Sequence, residues 1–383
     1  MERNVELEQA IFNNPNDPST YSVLADWLQS RGDPRGELIA LAIAGKDDAV
    51  QALLEEHSEQ FLGPLADHTE TYDGSERPAF EWKHGFIRAA RLSHDHNADE
   101  LDVDGGLARV LEQLLDHPSG RFVQELAFGF NGDPNDDNLE SLIATLARTP
   151  RPSIRTLVLG DFKYAGAARD EDRGDDTEIS WYNVGDCSSL WRALPQLEKL
   201  IVQSTSTSYG QAGGVTLGEL DLPALRHLEF RTGGLERSNF ESIARGRFPQ
   251  LVHLDVWFGQ DNYGGDCTAD DVAKLLARTD LPKLTHLGLM NCEFVDAAIP
   301  LLVRSPIAKQ LVELDLSLGC LSDEGAQLLA THADAFPALQ KLDVSQSYLT
   351  GDGIGALRKL AKTVVADDQR TGEDDDRYAA VGE

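Results

Sequence analysis

A chain of 383 residues with 41% apolar and 26% charged side chains is long enough for two or three packed units and too apolar to be disordered throughout. Its formal net charge of -31, from 34 basic against 65 acidic side chains, repels a phosphate backbone and excludes nucleic acid as the expected partner. The opening MERNVELEQAIFNN is not a secretory leader, and no run of about 18 apolar residues offers a membrane span, so a cytoplasmic protein with no membrane partner is expected.

Residues 1–95 read as a separate, mainly helical unit. Helical periods run through VELEQAIFNN, PSTYSVLADWLQSRGD and DDAVQALLEEHSEQFLG, and a strand is predicted from Phe86 to Leu92.

From residue 96 to residue 365 the pattern changes to an internal repeat of the form LxxLxL. Eight copies align: Val123/Leu126/Phe128, Ile154/Leu157/Leu159, Leu197/Leu200/Val202, Leu225/Leu228/Phe230, Leu251/Leu254/Val256, Leu284/Leu287/Leu289, Leu311/Leu314/Leu316 and Leu339/Leu342/Val344. Between the strands lie helical stretches such as SDEGAQLLATHADAF, where Ser322 or Asp323 suits the N-cap. A strand with one apolar face and a helix with one apolar stripe must stack on their neighbours to be buried. The expected class is therefore α/β: a leucine-rich-repeat solenoid of about eight units, with a parallel sheet inside and helices outside. A period near 28 residues with a helix per unit resembles the ribonuclease-inhibitor horseshoe.

Two stretches interrupt the array, GDFKYAGAARDEDRGDDTEISWYNVGD and FGQDNYGGDC. In the first, Trp181 and Tyr182 read as a local apolar plug or as partner contacts. In the second, the glycines of DNYGGD suit a tight turn and the acids lack the spacing of a calcium loop. Residues 366–383 read as an acidic, disordered tail. Cys187, Cys267, Cys292 and Cys320 are too scattered for a disulfide framework and are expected as thiols, Cys292 in a buried structural role.

Two resemblances add to this reading. Leu24 to Leu28 with Gly32 to Ile39 resembles a short bacterial domain, common in myxobacteria and planctomycetes, that precedes leucine-rich repeats. The segments RTLVLGDF, EISWYNVGD, DVWFGQDNYGGDCT, ELDLSLGCLSDEGAQLL and DDDRYAAVGE resemble an uncharacterised bacterial leucine-rich-repeat family encoded beside radical-SAM and ATP-grasp proteins. That second resemblance implies a modification substrate or recruiting platform, with Tyr378, Val381 and Glu383 as the tail positions that peptide-modifying enzymes would use. The composition of the tail is equally that of a solubilising segment.

In LxxLxL the third, fifth and seventh positions point away from the core, because side chains alternate along a strand. Down the array the third position holds His227, His253 and His286 on successive units, the fifth Glu229 and Asp255, and the seventh Arg231, Trp257 and Met290. An exposed aromatic amid polar groups has the form of an interface hot spot, so these eight residues are the candidate protein-binding patch; a solvated polar ladder is the plain alternative. Imidazole and carboxylate also bind metals, yet no HxxxH or CxxC spacing supports one, so no metal and no cofactor is assigned. No GxSxG, P-loop or HExxH string occurs. The sequence thus points to a monomeric, non-enzymatic scaffold that recognises a protein through its concave face; the alternative is a substrate whose tail is docked or modified.

Overall fold

Eleven strands form one sheet in strict chain order in the computed structural model, which describes residues 2–68, 79–93, 106–129, 138–161, 179–180, 182–206, 214–373 and 376–382. The strands are β1 (Ala79–Lys83), β2 (Phe86–Leu92), β3 (Glu125–Phe128), β4 (Thr156–Leu159), β5 (Lys199–Gln203), β6 (His227–Arg231), β7 (His253–Gly259), β8 (His286–Cys292), β9 (Glu313–Asp315), β10 (Lys341–Asp343) and β11 (Thr363–Val365). β1 and β2 form an antiparallel hairpin; every later neighbour pairs in parallel. The eight predicted copies coincide with β3 to β10, and their leucine positions are sealed inside one continuous core.

The N-terminal part contains α1 (Val5–Asn13), α2 (Pro18–Gln29), α3 (Pro34–Ile43), α4 (Asp47–Glu56) and α5 (Ser58–Phe61). Asp17 and Asp33 each cap a helix that opens with proline, the residue whose missing N–H costs nothing in a first turn. α3 covers most of the Gly32-to-Ile39 motif, which the hydrophobic periodicity does not mark as a helix. Its Gly36 sits where a Cβ would lie 2.6 Å from the Ala25 carbonyl oxygen, so a glycine lets α2 and α3 touch. Arg35 is buried between the rings of Phe61 and Phe86 and donates to the Gly85 carbonyl (2.7 Å) and the Ser119 hydroxyl (2.8 Å). Burial lowers its pKa to about 10.

These contacts tie the helices to the sheet. The β1–β2 hairpin turns through His84 and Gly85, both at positive φ, as a two-residue hairpin of this twist requires. β2 then pairs with β3, and Leu65 and Ile87 join the repeat core, so both sheet and core run across residue 95.

The helices on the repeats are α6 (Gly106–Asp116), α7 (Glu140–Ala147), α8 (Arg237–Arg245), α9 (Ala269–Leu276), α10 (Val295–Leu302), α11 (Asp323–Thr331) and α12 (Gly351–Leu357). Among the described residues, the middle of the array does not show the expected full helix per unit. Between β4 and β5 the described residues hold only a short 3-10 turn, Trp191–Ala193, and between β5 and β6 they run extended. There Val215, Leu217, Leu220 and Leu222 are buried at mostly two-residue spacing, an extended period and not a helical one.

The acidic tail is a second correction. β11 adds a strand to β10, Gln369 bonds the Val344 carbonyl and the Leu349 N–H, and Arg370 reaches the Gly319 carbonyl at 2.8 Å. Residues 376–382 then lie along the ends of earlier strands, with Ala379 and Val381 buried. The average acidity of the segment hides a few residues whose apolar side chains and backbone groups find partners on the repeats. Glu383 and Trp181 lie outside the described residues.

Candidate functional site

The three histidines begin β6, β7 and β8 and pair directly across the sheet, His227 with His253 and His253 with His286. Parallel in-register pairing places like positions side by side at the strand spacing of roughly 4.8 Å, and the imidazoles stack. Ring centroids are 4.0 Å apart with planes at 15° for the first pair, and 3.6 Å apart at 10° for the second.

The Nε2 atom of each ring meets a carboxylate from a fifth position. His227 Nε2 bonds Glu229, which also binds the Arg231 guanidinium. Asp255 serves two rings, with Oδ2 2.8 Å from His253 Nε2 and Oδ1 2.9 Å from His286 Nε2. The other nitrogen of His286, Nδ1, lies 3.3 Å from Glu313 Oε2, and Lys341 Nζ is 3.5 Å from the same oxygen.

Asp255 can lean toward β8 because its direct partner there is Gly288. A Cβ at Gly288 would stand 2.2 Å from Asp255 Oδ1. The acidic column Glu229, Asp255, Asp315, Asp343 is therefore interrupted by the one residue that leaves room for the carboxylate.

The electrostatics follow from these pairs. Burial works against ionising Glu229, but the His227 hydrogen bond and the Arg231 charge outweigh it and hold its pKa near about 2. Burial likewise opposes ionisation of Asp255, and its hydrogen bonds to His253 and His286 overcome that to hold it well below the usual carboxylate range. Burial pulls His286 down, yet the Asp255 hydrogen bond and the charges of Asp255, Glu313 and Asp315 raise it overall. Asp315, without such a cation, is pushed up to about 6 by burial and by Asp343, against the lowering effect of Ser317.

Trp257 was expected as an exposed anchor, and here the structure differs. The side chain points off the core as alternation demands, but it is only 6% exposed. Ile179 and Val381 are buried against it, with Met290, Leu318 and Ala380 packed around. The tail is fastened above it through backbone groups. Asn291, itself buried, accepts from the Val381 N–H at 2.9 Å and donates to the Val381 carbonyl at 2.5 Å. The Ala380 N–H donates to the Leu318 carbonyl at 2.7 Å, and Gln260 donates to the Ala379 carbonyl at 2.8 Å.

The structure thus gathers His227, Glu229, Arg231, His253, Asp255 and His286 into one open cluster and separates Trp257 and Met290 from it under the tail. Of the tail positions, Val381 is sealed and Tyr378 is 55% exposed, its carbonyl bound by Arg370. Sequence reading missed the roles of Gly288 and Asn291. A glycine within a column of acids was a usable signal for the first, whereas nothing periodic marks the second. Cys187, Cys292 and Cys320 are buried and Cys267 half-buried, each thiol pushed up by burial, so none is poised as a thiolate.

No protein-family model matches the sequence, and no curated protein matches it. A crystallised protein from Bacteroides fragilis is similar in structure, with a TM-score of 0.64 and 23% identity over 76% of this chain and 77% of that one. The leucine-rich repeat-containing protein LegL7 from Legionella pneumophila gives a TM-score of 0.38 at 15% identity, over 73% of this chain and 83% of its own. An internalin from Listeria monocytogenes gives 0.29 at 16% identity, over 68% and 70%. The recurring LxxLxL strands, their in-register parallel sheet and the helices behind it make the chain a leucine-rich-repeat solenoid.

Proposed function

We propose that this protein is a non-enzymatic scaffold that recognises a protein partner on the concave side of its repeats, through His227, Glu229, Arg231, His253, Asp255 and His286. One observation carries the reading. The strands pack their leucines on the helices and direct a continuous, mutually bonded row of imidazole and carboxylate groups to the other side. Pre-positioned polar groups lose little freedom on binding, which favours specific recognition. Among the described residues no helix is long and apolar enough to cross a membrane. His253→Gln combined with Asp255→Asn keeps size and removes the imidazole–carboxylate contact. Affinity purification of the full-length double variant beside the unchanged protein, from the native host, is expected to lose the principal captured protein. Equal capture by both would refute the site.

A second reading keeps one observation in its favour. Tyr378 stands exposed on a segment whose following residues are clamped, which presents its ring to a partner enzyme of a peptide-modifying system. An intact mass matching the unmodified sequence under every growth condition of the native host would count against it.

A further inference from the structure

We infer that His253, Asp255 and His286 form a binding site for a divalent transition-metal ion of the zinc class. Two imidazole nitrogens and a carboxylate are a recurrent donor set for such ions, which bind neutral imidazole and carboxylate oxygen at about 2.0–2.2 Å. Donors that share one ion at that radius lie roughly 3 Å apart. Here Asp255 already stands 2.8 Å from His253 Nε2 and 2.9 Å from His286 Nε2, and the donor atoms of the three residues all fall within 4.8 Å of one another.

Two further features belong to a built site and not to a chance cluster. The first is Gly288, which clears the space that the Asp255 carboxylate occupies as it bridges the Nε2 atoms of the two rings; any side chain there would meet Oδ1. The second is Glu313, whose carboxylate faces the remote Nδ1 of His286 at 3.3 Å. Metal-binding histidines characteristically donate that second N–H to a carboxylate, which fixes the tautomer that leaves Nε2 free for the ion. Loading the ion replaces the protons shared between Nε2 and Asp255 and tilts the two stacked rings toward a common point.

His227, Glu229 and His253 also bring donors within 4.8 Å of one another, but they suit a cation less well. Glu229 is already engaged by the Arg231 guanidinium, which neutralises the carboxylate and repels a second positive charge. The side chains of His253, Asp255 and His286 are 23%, 15% and 16% exposed, so the ion would keep a face open to the concave space. Water, or a carboxylate or imidazole of a partner, would complete its coordination there. The inference does not rest on protein recognition by the ladder, because it concerns the purified chain alone.

The test is titration of chelator-treated, full-length protein with Zn2+ against a chromogenic competitor, and with Co2+ read by its visible absorption bands. One ion per chain is expected, with imidazole-type Co2+ bands. His286→Ala and Asp255→Asn should each weaken binding by more than tenfold, while His332→Ala, at the end of α11 and outside the ladder, should leave it unchanged. Glu313→Gln, at a more exposed position, should weaken it about 10–100-fold without disturbing the fold. Circular dichroism and the melting temperature of each variant separate lost ligands from lost structure. Absence of saturable uptake overturns the inference, as does uptake insensitive to His286 and Glu313. Dependence on His227 in place of His286 overturns the assignment of ligands.

Discussion

Strands β6 to β8 begin and end in different environments. At their starts, third and fifth positions present His227, His253, His286, Glu229 and Asp255 on the side of the sheet away from the leucine core, bound to each other. At their far ends, the seventh position of β7 presents Trp257 on the same side, and there Val381 of the C-terminal segment and Ile179, which precedes β5, seal it. Strand alternation decides which side a residue faces. It does not decide whether something else covers that side, because the cover comes from residues distant in the sequence.

The largest expected effect comes from removing that cover. Truncation after Val365 deletes Val381 and the Arg370 bonds that close the last turns, and it should make Trp257 accessible to a fluorescence quencher while lowering the melting temperature by several degrees. Unchanged quenching would mean the tail does not sit on Trp257. A smaller loss is expected from Asn291→Ala, which leaves the Val381 N–H and carbonyl without their buried partner at a cost of about 1–3 kcal/mol, measured by denaturant unfolding.

At the open end the same kind of change should act on stability much less. His253→Ala removes one partly exposed hydrogen bond to Asp255, so its unfolding free energy should fall by about 1 kcal/mol or less while partner capture is lost. A variant that unfolds as readily as Asn291→Ala would show the ladder to be structural.

The smallest effect is a pH dependence at the edge of the ladder. With its pKa raised to about 6, Asp315 is favoured in its protonated form by the fold; its contribution is intact in acid and is lost as pH rises through 6. Asp315→Asn keeps an acceptor for the Ser317 N–H, so it should raise the unfolding midpoint at pH 8 more than at pH 5. Equal gains at both values would mean the carboxylate is solvated.

Much of this molecule is written in periodic positions, and those were legible. The LxxLxL leucines place β3 to β10, and period two assigns the histidines to one side of the sheet. The misread parts lack a period. α3 hides its helical stripe behind a Pro-Arg-Gly start, the stretch from Val215 to Leu222 is buried at an extended and not a helical period, and β11 is a three-residue strand that needs β10 beside it. The docking of the tail depends on side-chain amides meeting backbone groups, a type of contact that leaves no hydropathy signature. For the ladder, sequence supplied the donors. Their mutual distances depend on the space beside Gly288, which only the folded chain reveals.

Site-specific photo-crosslinking tests the central claim most directly, because it reports which side of the solenoid a partner touches while every histidine and carboxylate of the ladder stays in place. A crosslinking residue would replace Lys199 or Lys341, which flank the histidines on the concave side, or Lys274 on α9 behind the sheet, in separate full-length proteins. Concave recognition predicts crosslinks to the same partner from positions 199 and 341 and none from position 274. Crosslinks from position 274 alone would place recognition on the helical side and contradict the account.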